Sequence, residues 1–223
     1  MFPDLTADDI FRIETKRLWL RWPRASDAPA IMSFASLAEV ARMTSTIPHP
    51  YPPGEAERFI MRARTGNASG TAIVLAMTQK CGARHTIGLL SATLAAEGDI
   101  EFGYVVAPRM CGKGFASEAV RALADTVFGL TRANRILANS RADNVASRRV
   151  LEKTGFAFVD AGLDFLPARG GLHHCDRFQL DRKTWAARRS AAGDIRPMLP
   201  MAQQAHNANE AKVLVPAGPQ VEE

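Results

Sequence analysis

Cysteine is scarce in this sequence: Cys81, Cys111 and Cys175 are the whole complement, odd in number and without Cys-x-x-Cys spacing. Neither a disulfide framework nor a cysteine-bound zinc site is indicated, and a reducing compartment fits. Long apolar runs are missing as well. Nothing approaches the ~20 residues of a membrane span, and the opening MFPDLTADDIF carries acidic residues where a signal peptide would carry a basic end and an apolar stretch. The expected location is cytoplasmic, with no membrane partner. Blocks of one charge sign are also absent. The 28 Lys+Arg against 23 Asp+Glu give a net charge of +5, but they are spread along the chain with no basic run interleaved with aromatics. That favours an anionic small ligand or a solvated surface over nucleic acid. The densest basic region, Arg132, Arg135, Arg141, Arg148 and Arg149, reads equally as a solvated face or as a surface near phosphate. No internal repeat occurs.

What is present is the composition of a soluble globular protein, 47% hydrophobic and 23% charged. The length suits one domain with appendages. An N-terminal extension is expected over residues 1–12, a domain over 13–189, and a disordered tail over 190–223, which is rich in Ala, Gln, Asn and Pro without periodicity. Residues 17–22, RLWLRW, alternate as a half-buried strand, and Ser26 with Asp27 opens a single helix over 26–43. TIPHPYPP, residues 46–53, holds four prolines and cannot be regular structure, while helical spacing returns over 54–64. Strand-like runs at 71–78, 85–95 and 99–107, separated by glycine-bearing turns, predict successive antiparallel pairing. Ala116, Ala119, Val120, Leu123 and Val127 then form one apolar helical stripe. Residues 134–142 read as a strand and 144–154 as a helix capped by Asn144 and ended by Gly155. A closing strand pair is expected at 156–163 and 173–181.

The stretch RMCGKGFASEAV, residues 109–120, lies between a strand and a helix. Glycines there let backbone N–H groups approach an anion while the helix N-terminus adds partial positive charge. A dinucleotide fingerprint would need glycine where Ser117 stands. A Walker loop would need glycine in place of Ala107 and Ser or Thr in place of Gly114. The plainer alternative is that Gly112 and Gly114 only shape a tight connection. The turn has company, however: VVAPRMCGKGFA, from Val105 to Ala116, is followed by Asn144-Val-Ala-Ser147 and then RRVLEKTGF. Together these resemble the GNAT superfamily of acyl-coenzyme A-dependent N-acetyltransferases, whose signature Q/R-x-x-G-x-G/A reads here Arg109-Met-Cys-Gly112-Lys-Gly114. The loop TIPHPYPPGEAERFI and the strand IEFGYVV resemble most closely the branch typified by ribosomal-protein-alanine acetyltransferases. The likeness spans roughly residues 13–185.

The resemblance implies a mixed α/β fold with a GNAT-type central sheet, mostly antiparallel and splayed, flanked by helices. It implies that backbone amides of Met110, Cys111, Gly112, Lys113, Gly114, Phe115 and Ala116 hold the pyrophosphate of coenzyme A, with Arg109 and Lys113 adding charge. Val105 and Val106 would carry a β-bulge where their strand leaves its neighbour at 134–142, freeing backbone groups for the pantetheine arm and an N–H for the oxyanion. Asn144 resembles the residue that bonds this arm, and Ser147 the serine presented near the coenzyme sulfur. The alternative for both is a helix cap with a polar first turn. Glu101, on the same strand as Val105, is the candidate general base; its alternative is an outward strand residue or a contact for the amine. Many relatives place a tyrosine seven residues after the helix-opening asparagine, where this chain has Leu151, so that acid does not carry over. Tyr51 either lines the acceptor pocket or packs on the following helix. His173, His174, Cys175 and Asp176 alternate between strand faces and make a poor ligand set. Cys111 has no identifiable base beside it. Neither a metal nor a cysteine nucleophile is expected.

The expected activity is therefore acetyl-CoA-dependent N-acetyl transfer by direct attack, with acetyl-CoA as cosubstrate and a protein N-terminus or small amine as acceptor. The missing tyrosine leaves a rival, a non-catalytic acyl-CoA-binding or sensing module, and the positive charge leaves a second, a nucleic-acid-binding protein. The loops at 44–56 and 164–173 would set the acceptor without revealing it. Monomer and homodimer stay equally open.

Overall fold

A computed structural model describes residues 11–82 and 84–191. Most of the expected extension at 1–12 and of the expected tail at 190–223 therefore lies outside the described residues. The elements run β1 (Arg12–Glu14), β2 (Leu18–Arg21), α1 (Ala28–Ala35), α2 (Ala38–Arg42), α3 (Glu55–Ala68), β3 (Ala72–Gln79), β4 (Thr86–Leu94), β5 (Ile100–Val106), α4 (Phe115–Leu130), β6 (Arg135–Arg141), α5 (Val145–Thr154), β7 (Ala157–Leu166), β8 (Gly171–Asp181) and α6 (Arg182–Ala191). Among the described residues, no helix is long and apolar enough to cross a membrane.

One eight-stranded sheet in the order β1-β2-β3-β4-β5-β6-β8-β7 organises the molecule. Every neighbouring pair is antiparallel except β5 with β6, which is parallel and pairs only Ile100, Phe102 and the Glu101 between them with residues 136–138. Strand alternation sends Leu18, Leu20, Leu75, Met77, Ile100, Phe102, Ile136 and Phe178 to one face, where Phe115, Val120, Leu123, Val127 and Phe128 of α4 close the main core. The other face is covered only in part. Ala76, Leu89 and Ala107 pack there against Ile31 and Phe34 of α1 and Ala56 and Ile60 of α3.

The antiparallel run β3-β4-β5 matches the reading from sequence, as do the α4 stripe and the α5 ends. Asn144 Oδ1 accepts from the Ser147 amide, and Gly155 closes α5 at φ 104°. Two expectations are corrected. The single helix over 26–43 is instead a 3₁₀ turn at Ala25–Asp27, then α1 and α2, broken at Leu37, whose backbone is extended. The reason is phase: α1 buries Ala28, Ile31 and Ala35, and a continuous helix would carry Ala38 and Arg42 inward, whereas Val40 and Ala41 are the buried pair. The second correction concerns the bulge expected at Val105–Val106. The β4–β5 register is unbroken from Leu94↔Ile100 to Gly88↔Val106, and the irregularity lies one strand away, between Met77 and Thr78 of β3. The Ala107 amide, which donates to the Ile87 carbonyl at 2.8 Å, keeps β5 on β4 to its end. The sheet opens because β5 loses β6, and no inserted residue is needed.

Candidate active site

After β5 the chain makes a 3₁₀ turn at Pro108–Met110, then passes through Gly112 and Gly114, both left-handed at φ 76° and 79°, before α4 begins. Only glycine adopts such angles at no steric cost, and two in three residues curl the backbone around one point. The amides of Met110 and Cys111 are taken within the turn, by Ala107 O at 2.8 Å and Pro108 O at 3.0 Å. Those of Gly112, Lys113, Gly114, Phe115 and Ala116 have no acceptor among the described residues, and no side chain caps α4. Five unengaged N–H groups in the turn and at the start of a 16-residue helix are the backbone chemistry that suits an anion. Arg109, Cys111 and Lys113 are exposed around it. Although Cys111 is exposed as a residue, its sulfur lies against the Val106 and Ala107 carbonyls, and this partial desolvation with the nearby Glu39 pushes the thiol up, away from the thiolate a nucleophile needs.

A clamp that sequence reasoning missed holds this turn. Arg17 donates from Nη1 to the Lys113 carbonyl at 2.9 Å and from Nε to Glu118 at 2.6 Å, while its guanidinium carbon lies 4.5 Å from the Phe115 ring centre. Glu118 also accepts from the Thr15 hydroxyl at 2.6 Å and from the Arg17 amide at 2.7 Å. Burial works against its charge, but these hydrogen bonds outweigh it and hold the carboxyl below its usual range. The sign of Glu118 at one helical turn past Gly114 was the only hint in the sequence, and i to i+101 partners carry no local signature.

Beyond Phe102, β5 has left β6, and a cleft opens between the two arms. Since the Ala107 amide faces β4, alternation turns the Val105 backbone to β4 and those of Tyr104 and Val106 toward the cleft. Across it, on the α5 side, Asn144 has committed Oδ1 to the helix cap at 3.1 Å and keeps Nδ2 as a donor. Ser147 Oγ lies 2.8 Å from the Tyr104 hydroxyl, which also reaches the Ser147 carbonyl at 3.1 Å. Tyr104 is one of only two tyrosines in the chain. Burial pushes its hydroxyl up to about 12, against a lowering by the Ser147 hydrogen bond. Leu151, at the position of the absent tyrosine, is fully buried in the core.

Glu101 and Val105 project from the opposite face of β5 to Tyr104 and Val106, the face toward α1 and α3. Glu101 is exposed, and its carboxylate makes no bond among the described residues. Tyr51, like Val105, Met110 and Ile47, packs against the smaller core cluster on this side, and burial with the neighbouring Glu55 pushes its hydroxyl up to about 12. The loop after β7 closes over the same segment: the Ala168 amide donates to Ser45 O at 2.9 Å, and Arg169 donates to Ile47 O. Glu101 therefore projects from the face of β5 opposite to Tyr104, the residue that meets Ser147.

Other sequence candidates separate from the site. His173 meets Arg141 at 3.2 Å, and no group of three or more potential metal ligands occurs among the described residues. The basic region is largely neutralised in place: Arg135 pairs with Asp99 at 2.7 Å, Arg141 with Asp143 at 3.0 Å and Arg148 with Glu152 at 2.9 Å.

Comparison with known proteins agrees with this geometry. The acetyltransferase (GNAT) domain family matches residues 17–157. YnaD of Bacillus subtilis (strain 168), named an uncharacterized N-acetyltransferase, is 28% identical over 144 residues, covering 64% of this chain and 81% of that protein. Among solved structures, Mycobacterium smegmatis RimJ in complex with CoA-disulfide superposes with a TM-score of 0.69 at 20% identity, over 83% of this chain and 96% of that one. The ribosomal-protein-S5-alanine acetyltransferase of Vibrio fischeri superposes with a TM-score of 0.66 at 20% identity, over 78% and 98%.

Proposed function

Since the chain belongs to the GNAT acetyltransferase family, we propose that it transfers the acetyl group of acetyl-CoA to a primary amine, a protein N-terminus or a small amine, by direct attack. The observation that carries this reading is the set of five unengaged amides from Gly112 to Ala116, placed where β5 and β6 part. The residues fit a pyrophosphate with an extended arm: amides and the Arg109 and Lys113 charges at one end, the cleft backbone of Tyr104 and Val106 along it, and the Asn144 Nδ2 across from it.

The amine would approach from the Glu101 side, past Tyr51 and the loop at 44–56. An amine at neutral pH is largely ammonium, and Glu101, directly or through a water, takes its proton. The nitrogen then bonds to the thioester carbon, a cleft-facing amide of β5 stabilises the oxyanion, the C–S bond breaks with its electron pair left on sulfur near Ser147, and the surplus proton of the new amide nitrogen leaves to solvent. A cytoplasmic location belongs to this reading, because all three cysteines are unpaired thiols.

The test is thiol release from acetyl-CoA over a panel of N-terminal peptides, polyamines, amino acids and aminoglycosides. Amine-dependent release is expected, and Glu101→Gln should lower turnover by about 10²-fold, as general bases do, with little change in KM for acetyl-CoA. Binding of acetyl-CoA without turnover on any amine, or a fully active Glu101→Gln protein, would favour the sensing module instead.

A further inference from the structure

The Tyr104–Ser147 contact joins the two arms of the cleft, and its proton count is informative. The Tyr104 hydroxyl has one proton and two acceptors within reach, the Ser147 carbonyl at 3.1 Å and Ser147 Oγ at 2.8 Å. When the phenol donates to the carbonyl, the serine hydroxyl donates to the phenol oxygen and its proton faces away from the cleft. When the phenol donates to Oγ, the serine proton must turn elsewhere. The Ser147 amide is tied to Asn144 Oδ1 at 3.1 Å, so the two arrangements differ only in how the hydroxyls turn.

Resting on the functional reading above, we propose that Tyr104 is a positioning residue that turns the Ser147 hydroxyl proton toward the sulfur of coenzyme A. As the C–S bond breaks, its electron pair goes to sulfur, and Ser147 donates a hydrogen bond to the thiolate while Tyr104 donates one to Ser147. Neither hydroxyl loses its proton. A chain of two aligned donors polarises along its length, and a hydrogen bond to an ionised acceptor is stronger than a neutral one. Burial of Tyr104 and its raised pKa keep the phenol protonated throughout, as a donor must be.

The test measures the pKa of the thiol of bound coenzyme A from thiolate ultraviolet absorbance, together with kcat and KM, in the wild type, Tyr104→Phe, Ser147→Ala and the double variant. The wild type should depress the bound thiol pKa. Tyr104→Phe, which keeps the ring and hence the packing, should raise it by about one unit, a tenfold change in ionisation. It should also lower kcat about tenfold while KM for acetyl-CoA stays within about twofold. In the Ser147→Ala background the Tyr104 substitution should add nothing further. An unchanged thiol pKa in Tyr104→Phe overturns the proposal, as does an effect that persists in full without Ser147, or one confined to a lowered urea midpoint. Absence of coenzyme A binding by the wild type would overturn the functional reading and this one with it, whereas binding with no Tyr104 effect overturns this one alone.

Discussion

Replacing Gly88 with alanine removes no proposed site side chain but presses on the backbone of β5, the strand that lines the cleft. Gly88 pairs with Val106, and a Cβ built on it would lie 2.5 Å from the Val105 carbonyl oxygen, 3.2 Å from Val106 Cα and 3.3 Å from Met77 Sδ. Two of these three atoms are backbone and cannot rotate away. Met77 is fully buried, so its sulfur has little room. The contact can be relieved only by moving β5 off β4, against the Ala107–Ile87 hydrogen bond of 2.8 Å. Overpacking of this kind costs about 1–3 kcal/mol, and at roughly 2–4 °C per kcal/mol for a domain of this size the melting temperature should fall by several degrees. Because the displaced segment is the cleft wall, KM for acetyl-CoA should rise as well. Gly112→Ala is the contrast: nothing lies within 4 Å of its Cβ, yet φ is 76°, so the penalty is the left-handed conformation alone, about 1–2 kcal/mol. Urea unfolding and steady-state kinetics on both variants are the assay. A Gly88→Ala protein with wild-type melting and wild-type KM would refute the reasoning that β5 cannot yield at Val105.

Two further outcomes are expected. Arg17→Ala should raise KM for acetyl-CoA several-fold with kcat nearly unchanged, and should leave S-acetylpantetheine, which lacks the pyrophosphate, unaffected; equal losses on both would show that the clamp does not act through the turn. Asp27 is buried and accepts from Arg21 at 2.8 Å through both oxygens, from the Arg24 amide at 2.7 Å and from Thr86 at 2.8 Å. Burial alone would raise its pKa, but these bonds outweigh burial and lower it. Its contribution is therefore present above the ordinary aspartate pKa and lost as pH falls through the lower folded value. Asp27→Asn should cost about 3–5 kcal/mol near neutral pH, the usual cost of breaking a buried pair, and the gap from wild type should narrow in acid. Urea unfolding at both pH values checks this, and a gap that is constant with pH would refute it.

The regular elements were legible because each carries its period locally. The α4 stripe, the alternation in β2, the short apolar runs of β3 to β5 between turns and the Asn144 and Gly155 ends of α5 are set by residues within a few positions of one another. The glycine turn was legible for the same reason, since left-handed backbone at two of three positions leaves glycine as the choice. Where an element's fate depended on a distant surface, the local pattern misled. The 26–43 segment is rich in helix formers throughout, but the core accepts Val40 and Ala41 only after a break at Leu37. The bulge at Val105–Val106 was a property of the resemblance, and the unbroken pairing of β5 with β4 replaced it.

By itself the sequence determined most of the elements, the glycine turn and the family, because these depend on spacing along the chain. Only the tertiary structure decided which groups meet. Strand alternation put Glu101 and Tyr104 on opposite faces of β5, and the pairing of β5 with β6 ends between them, at Phe102. Packing brought Arg17 to Lys113 across 96 positions and Tyr104 to Ser147 across 43. Contacts at such separations are fixed by how the sheet twists and where its ladder ends, and no window of sequence contains both partners.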